Sequence, residues 1–155
     1  IMNGGKVILI VTANVITFVA LAGMIDSGLA LIWDKLSLES ILGVIMYVPS
    51  LLLGLNPTNA WDLSQLMGLK LVTNEFVAMG QVGDISAAPT HFRAVVTVFL
   101  TSFANFSTLG QIIGTFKSTV DEESNDAISK QVGRALLSGI LVSLLSAAMV
   151  GLFIW

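Results

Sequence analysis

The sequence contains no cysteine, which excludes disulfides, thiolate metal sites and cysteine nucleophiles but leaves the compartment open. It is also poor in charge. Only 11% of its 155 residues are Asp, Glu, Lys or Arg, against roughly 25% in ordinary soluble domains. A soluble helical protein of this size needs a polar outer face, and this composition has too little charge to cover one. The formal net charge is −3 and there is no basic tract, so nucleic acid is not expected as a partner. His91 is the single histidine, so no hydrolytic triad and no metal-ligand spacing can be assembled. There is no glycine-rich phosphate loop either. No catalytic residue, metal ligand or cofactor is therefore assigned, and the chain is not read as an enzyme.

What is present is apolar: 55% of the residues are hydrophobic, and lipid is the expected solvent for most of the surface. The chain opens on Ile1, which suggests a piece of a longer protein. Val7 to Ile25 carries no charge, and apolar character resumes after Asp26 as far as Trp33. About 20 apolar residues span a bilayer core, so this reads as a transmembrane helix, too long for a signal-peptide core. Its most polar interior residue, Asn14, reads as packing glue. Ile41 to Leu55 is short for a span and is interrupted by Pro49; an interfacial or re-entrant segment and a short buried helix both fit.

Asn56 to Gln81 opens with Asn56-Pro57-Thr58-Asn59, a turn and helix-capping signature. Two short apolar stretches come next, around Leu63–Leu71 and Phe76–Met79, separated by Thr73, Asn74 and Glu75. Neither crosses a bilayer alone, and a helical hairpin with a polar tip that dips in and returns fits the pattern. Such a tip must face protein or water. Ala94 to Phe116 is free of charge, but its middle reads Thr101-Ser102-Phe103-Ala104-Asn105-Phe106-Ser107-Thr108-Leu109-Gly110, a span with a polar centre. Asp121 to Asp126 reads as an acidic loop, with an amphipathic turn or two in Asn125–Arg134. Ala135 to Trp155 is the last span, in which Ser138, Gly139, Ser143, Ser146 and Gly151 permit close helix packing.

The basic residues set orientation. With Lys6, Lys117, Lys130 and Arg134 in the cytoplasm, Lys35, His91, Arg93 and the C-terminus lie outside. His91 is then expected at the outer surface, capping or preceding a helix. This arrangement requires 36–90 to enter and leave on one side.

Two polar centres stand out. A carboxylate at bilayer depth costs about 2.5–3.5 kcal/mol, so Glu75 should line a cavity or be paired; a pair with Lys70 is the plain alternative. Asn105 stands among Ser102, Ser107 and Thr108 and is open between two readings. It is interhelical glue, or it belongs to a stretch where the helix unwinds and exposes backbone groups to a ligand.

These centres also carry a resemblance. Gly68-Leu69-Lys70-Leu71-Val72-Thr73-Asn74-Glu75-Phe76-Val77-Ala78 is similar to the Gly-Thr-Lys-Leu-Val-x-Asn-Glu-Phe-Val-Ala signature of concentrative nucleoside transporters. Ser102-Phe103-Ala104-Asn105-Phe106-Ser107-Thr108 resembles their Gly-Phe-Ala-Asn-x-Ser-Ser motif. Leu69, Ser102 and Thr108 depart from the pattern, and Thr108 keeps the hydroxyl but adds a methyl.

The resemblance implies an all-α polytopic membrane protein with a re-entrant helical hairpin and a broken helix, one inverted repeat of a transporter plus a scaffold helix. It implies a scaffold helix over 1–35, an outer interfacial helix with its lead-in over 36–55 and the hairpin over 56–90. Over 91–155 come the broken helix, a cytoplasmic loop and the final helix. Glu75, Asn105 and Thr108 would hold ribose hydroxyls, Phe103 would pack on the nucleobase, and Asn74 and Ser107 would support them. The function implied is cation-coupled nucleoside uptake, by sodium or protons, in a homotrimer at the cell membrane, with the cation site in the missing half. The alternatives are a structural transmembrane subunit or another secondary transporter with re-entrant hairpins.

Overall fold

The computed structural model describes residues 2–117 and 119–155; several side chains of the first helix, Asn14 among them, lie outside the described residues. Among the described residues the regular structure is entirely helical, in the order α1 (Met2–Ala30), α2 (Leu38–Leu52), α3 (Pro57–Val72), α4 (Glu75–Gln81), α5 (Thr90–Leu100), α6 (Phe106–Lys117) and α7 (Glu122–Phe153).

Local chemistry sets most of these boundaries. Ser37 starts α2 through a reciprocal capping box with Ser40. The Asn59 N–H donates to the Asn56 side chain at 2.9 Å, with Pro57 in the first helical position. Gly54, at φ +80°, takes the left-handed conformation just past α2 that ends a helix cheaply. Pro49 does not interrupt the segment as its position suggests. It lies inside α2, and the helix ends only at Leu52.

α2 and α3 form the tightest pair because two glycines face each other. A methyl group on Gly68 would stand 2.7 Å from the Gly43 nitrogen and closer still to the Glu39 carbonyl oxygen. Backbones at that separation leave no room for any side chain. Met46, Leu63, Met67, Val95, Phe99, Leu100 and Ala147 then fill the core between α2, α3, α5 and α7.

α7 starts earlier than its sequence suggests. The acidic stretch after Asp121 is helical rather than a loop, because the Asp121 carboxylate accepts from the Ser124 N–H at 2.9 Å and caps it. Among the described residues, α7 is the helix both long and apolar enough to cross a membrane. Its outer face carries Leu137, Leu141, Leu145, Leu152 and Phe153, all exposed. Large exposed apolar faces of this kind mark contact with lipid or with another chain.

His91 departs from expectation. It lies in the first turn of α5 and is buried rather than at the surface. One ring nitrogen is 2.9 Å from the Leu53 carbonyl oxygen and the other 2.8 Å from that of Ile154, while the ring stacks on Trp155. Carbonyls only accept, so both contacts are hydrogen bonds together only in the doubly protonated ring. Gly151 makes room for it: a methyl there would meet the imidazole at 3.0 Å.

Candidate functional site

Two helix starts converge at the centre of the chain. The first is that of α4. The Val77 N–H donates to the Asn74 side chain at 3.0 Å, which caps the helix and sets Glu75 in its first position. Thr73 turns its hydroxyl back onto the Leu69 carbonyl at 2.6 Å, so the two residues between α3 and α4 are locally satisfied. Glu75 is only 7% exposed.

The second start is that of α6. Helix α5 stops at Leu100, and Thr101 to Asn105 is not helical. Asn105 caps α6: the Thr108 N–H donates to its Oδ1 at 3.0 Å, and the Ser107 hydroxyl donates to the same oxygen at 2.6 Å. With both acceptor positions taken, the amide orientation is fixed and Nδ2 must point the other way. It donates to Glu75 Oε2 at 2.9 Å and to the Phe103 carbonyl at 3.3 Å. All four hydrogen-bonding positions of Asn105 are thus filled, and the residue is 1% exposed.

Thr108 donates its hydroxyl to the Asn105 carbonyl at 2.5 Å. Phe103 is different. Its ring is 71% exposed and borders a groove of about 460 Å³ with Ser102, Thr108, Gln111, Gly139 and Ser143. The structure therefore brings Glu75, Asn105, Ser107 and Thr108 into one hydrogen-bonded cluster, leaves Asn74 beside it as the cap of the helix that carries Glu75, and sets Phe103 at its open edge. A separate apolar cavity of about 280 Å³ is lined by Phe106, Val72, Leu38 and the α1 residues Leu21, Ala22 and Ile25.

The pairing of Glu75 with Lys70 that the sequence leaves open does not occur as a direct contact. Lys70 instead donates to the Phe99 carbonyl at 3.0 Å and to the Ser102 hydroxyl. A lysine embedded in the apolar run around Leu63–Leu71 hints at such a role, but the pattern has no means of naming its partners. Gln111, on the groove wall, belongs to no motif that would single it out in the sequence. Among the described residues there is no group of three or more His, Cys, Asp or Glu side chains that could hold a metal ion.

Comparison with known proteins shows the family of the chain. The family described as Na+ dependent nucleoside transporter C-terminus matches residues 1–151. The chain is 44% identical over 153 residues to the purine nucleoside transport protein NupG of Bacillus subtilis, covering 98% of this chain and 38% of that protein. It is 33% identical over 172 residues to human sodium/nucleoside cotransporter 1, covering 95% of this chain and 26% of that protein. Among solved structures, a variant of CNTnw in an intermediate state superposes with a TM-score of 0.85 at 25% identity, covering 98% of this chain and 40% of that one. CNTnw in an inward-facing substrate-bound state gives 0.77 at 26% identity, covering 98% and 38%. The chain thus spans between about a quarter and two fifths of the length of these relatives. It belongs to the concentrative nucleoside transporter family, a family of membrane proteins, and carries its C-terminal part.

Proposed function

We propose that this chain is the substrate-binding C-terminal half of a transporter that couples nucleoside uptake across the cell membrane to a sodium or proton gradient. The observation that carries the reading is the buried 2.9 Å bond from Asn105 Nδ2 to Glu75 Oε2, in a chain matched to the family over residues 1–151. Asn105 engages one carboxylate oxygen and leaves Oε1 to accept from a sugar hydroxyl. The weaker of the two Nδ2 bonds, 3.3 Å to the Phe103 carbonyl, is the one a ribose oxygen exchanges for. Thr108 stands beside it, Asn74 and Ser107 hold the frame, and the exposed Phe103 ring packs on the nucleobase face.

In this reading α3, Thr73-Asn74 and α4 form a re-entrant hairpin, and α5 and α6 are halves of one broken transmembrane helix. Helix α1 joins the scaffold of a homotrimer, and the outer face of α7 contacts lipid. The segments keep the bounds read from the sequence, 1–35, 36–55, 56–90 and 91–155. Lys6, Lys117, Lys130 and Arg134 lie on the cytoplasmic side and the C-terminus outside. The coupling cation binds in the N-terminal half, and no other cofactor is required.

The test is uptake of labelled uridine and adenosine by the full-length transporter in proteoliposomes. A hydrogen bond to a charged group is worth about 1.5–3 kcal/mol, so Glu75→Gln should cut uptake roughly 10- to 100-fold with insertion unchanged. Wild-type uptake and affinity in that variant would remove Glu75 from the site and favour a structural subunit.

A further inference from the structure

Lys70 is fully enclosed, at 0% exposure. An ammonium away from water is costly unless its donors are satisfied. It reaches across 29 residues of sequence to donate to the Phe99 carbonyl at 3.0 Å, and it also donates to the Ser102 hydroxyl. That hydroxyl donates in turn to the same Phe99 carbonyl at 2.8 Å, closing a ring of three groups. The ammonium also lies 4.6 Å from the centroid of the Phe99 ring, within cation–π reach.

The place of this ring in the fold matters more than its strength. Phe99 is in the last turn of α5, where carbonyls lack helical partners and gather partial negative charge. The Phe99 carbonyl also accepts from the Ser102 N–H at 3.4 Å and from the Ser102 hydroxyl, and Lys70 adds a charged donor to it. The non-helical stretch starting at Thr101 leads directly to Asn105. At its other end Lys70 sits in the last turn of α3, five positions before Glu75. The bracket therefore joins the two chain segments that carry the Glu75–Asn105 bond.

We propose that Lys70 is a positioning residue for the sugar-binding pair: through Phe99 and Ser102 it fixes where α5 ends, and so where Asn105 meets Glu75. Because the ammonium is committed to α5, it does not occupy the Glu75 oxygen that faces a ligand. Ser102 gives this chain a further leg to the bracket, where the family pattern has glycine. The proposal rests on the reading of Glu75 and Asn105 as the nucleoside site.

The experiment compares Lys70→Met, Ser102→Gly and the double variant in the full-length transporter, by uridine and adenosine uptake in proteoliposomes. A misplacement of about 1 Å can cost on the order of 100-fold, so Lys70→Met should raise KM about tenfold or more. Ser102→Gly, which leaves the bond to the Phe99 carbonyl, should raise it about threefold. The double variant should fall short of the product of the two single effects, since Lys70, Ser102 and the Phe99 carbonyl form one ring. A KM for Lys70→Met within about twofold of wild type, or effects that add on a logarithmic scale, overturns the proposal. If Lys70→Met does not insert, Ser102→Gly and Ser102→Ala decide, and an unchanged KM in both overturns it.

Hydrogen exchange at amides 101–108 of the same protein gives an answer independent of transport. Lys70→Met should speed exchange there and leave α7 unchanged; equal exchange at 101–108 counts against the bracket. Should the wild-type protein take up neither nucleoside, the transport reading falls, and the exchange result still decides whether Lys70 holds the end of α5.

Discussion

Asn105 donates a hydrogen bond to Glu75 across 30 residues of sequence, and it does so with an amide whose oxygen is already committed to capping α6. The two duties fix each other. The cap determines which way the amide faces, and the carboxylate holds the cap in place.

Aspartate at position 105 should separate these duties. Asn105→Asp keeps an acceptor for the Thr108 and Ser107 donors but sets a second carboxylate against Glu75, and like charges at hydrogen-bond distance disfavour joint ionisation. Thermal stability of the full-length protein should fall, with a loss of about 1.5–3 kcal/mol for the charge-assisted bond. The swap Glu75→Gln with Asn105→Asp restores a donor facing a carboxylate. It should recover most of the melting temperature but not nucleoside uptake, because the ligand-facing oxygen no longer belongs to a carboxylate. Recovery of uptake in the swap would mean that the pair serves packing alone.

The α2–α3 crossing provides a stability test away from the site. Gly68→Ala forces a methyl into the backbone of Glu39 and Gly43, and overpacking of this kind costs typically ~1–3 kcal/mol. Gly80→Ala meets nothing within 4 Å, so replacing a helical glycine there should be neutral or stabilising by up to ~1 kcal/mol. Melting curves of the two variants in one detergent should diverge in sign. Equal behaviour would refute the close crossing.

A pH dependence is expected at the start of α7. The Asp121 carboxyl is held below its ordinary value of 3.8 chiefly by the Ser124 backbone N–H, then by the Ser124 hydroxyl. A depressed folded value means the cap is fully present above the unfolded value and is lost as pH falls through the folded one. Hydrogen exchange at residues 122–125 should therefore speed up, beyond its ordinary pH dependence, only below about pH 4 in wild type. It should be fast throughout in Asp121→Ala, and Asp121→Asn should keep the cap across the range. Protection in Asp121→Ala equal to wild type would mean that tertiary packing alone holds this turn.

How much of this is legible in the sequence differs from residue to residue. The start of α3 is written in Asn56-Pro57, because capping is local chemistry and needs no partner far along the chain. Glu75 and Asn105 stand out because a polar group in an apolar run must be satisfied somewhere. The start of α7 is harder to read: charge along a helix looks like a loop until its cap is recognised, and Asp121 with Ser124 is that signal. Pro49 misleads in the opposite direction: it denies α2 the bond to the Ile45 carbonyl, yet the helix continues through it to Leu52, packed along α3.

By itself, the sequence determined the solvent, the helices and the residues unable to rest in lipid without a partner, because composition, apolar run length and caps act over a few residues. Only the tertiary structure decided the partners. It turned Gly139, Ser143 and Gly151 inward while Ser138 and Ser146 stayed exposed. It gave Lys70 to the end of α5 rather than to Glu75, and drew His91 between carbonyls at the ends of α2 and α7. Such choices depend on which helix faces pack together, and a bond between groups 29 to 63 residues apart leaves no periodic trace along the chain.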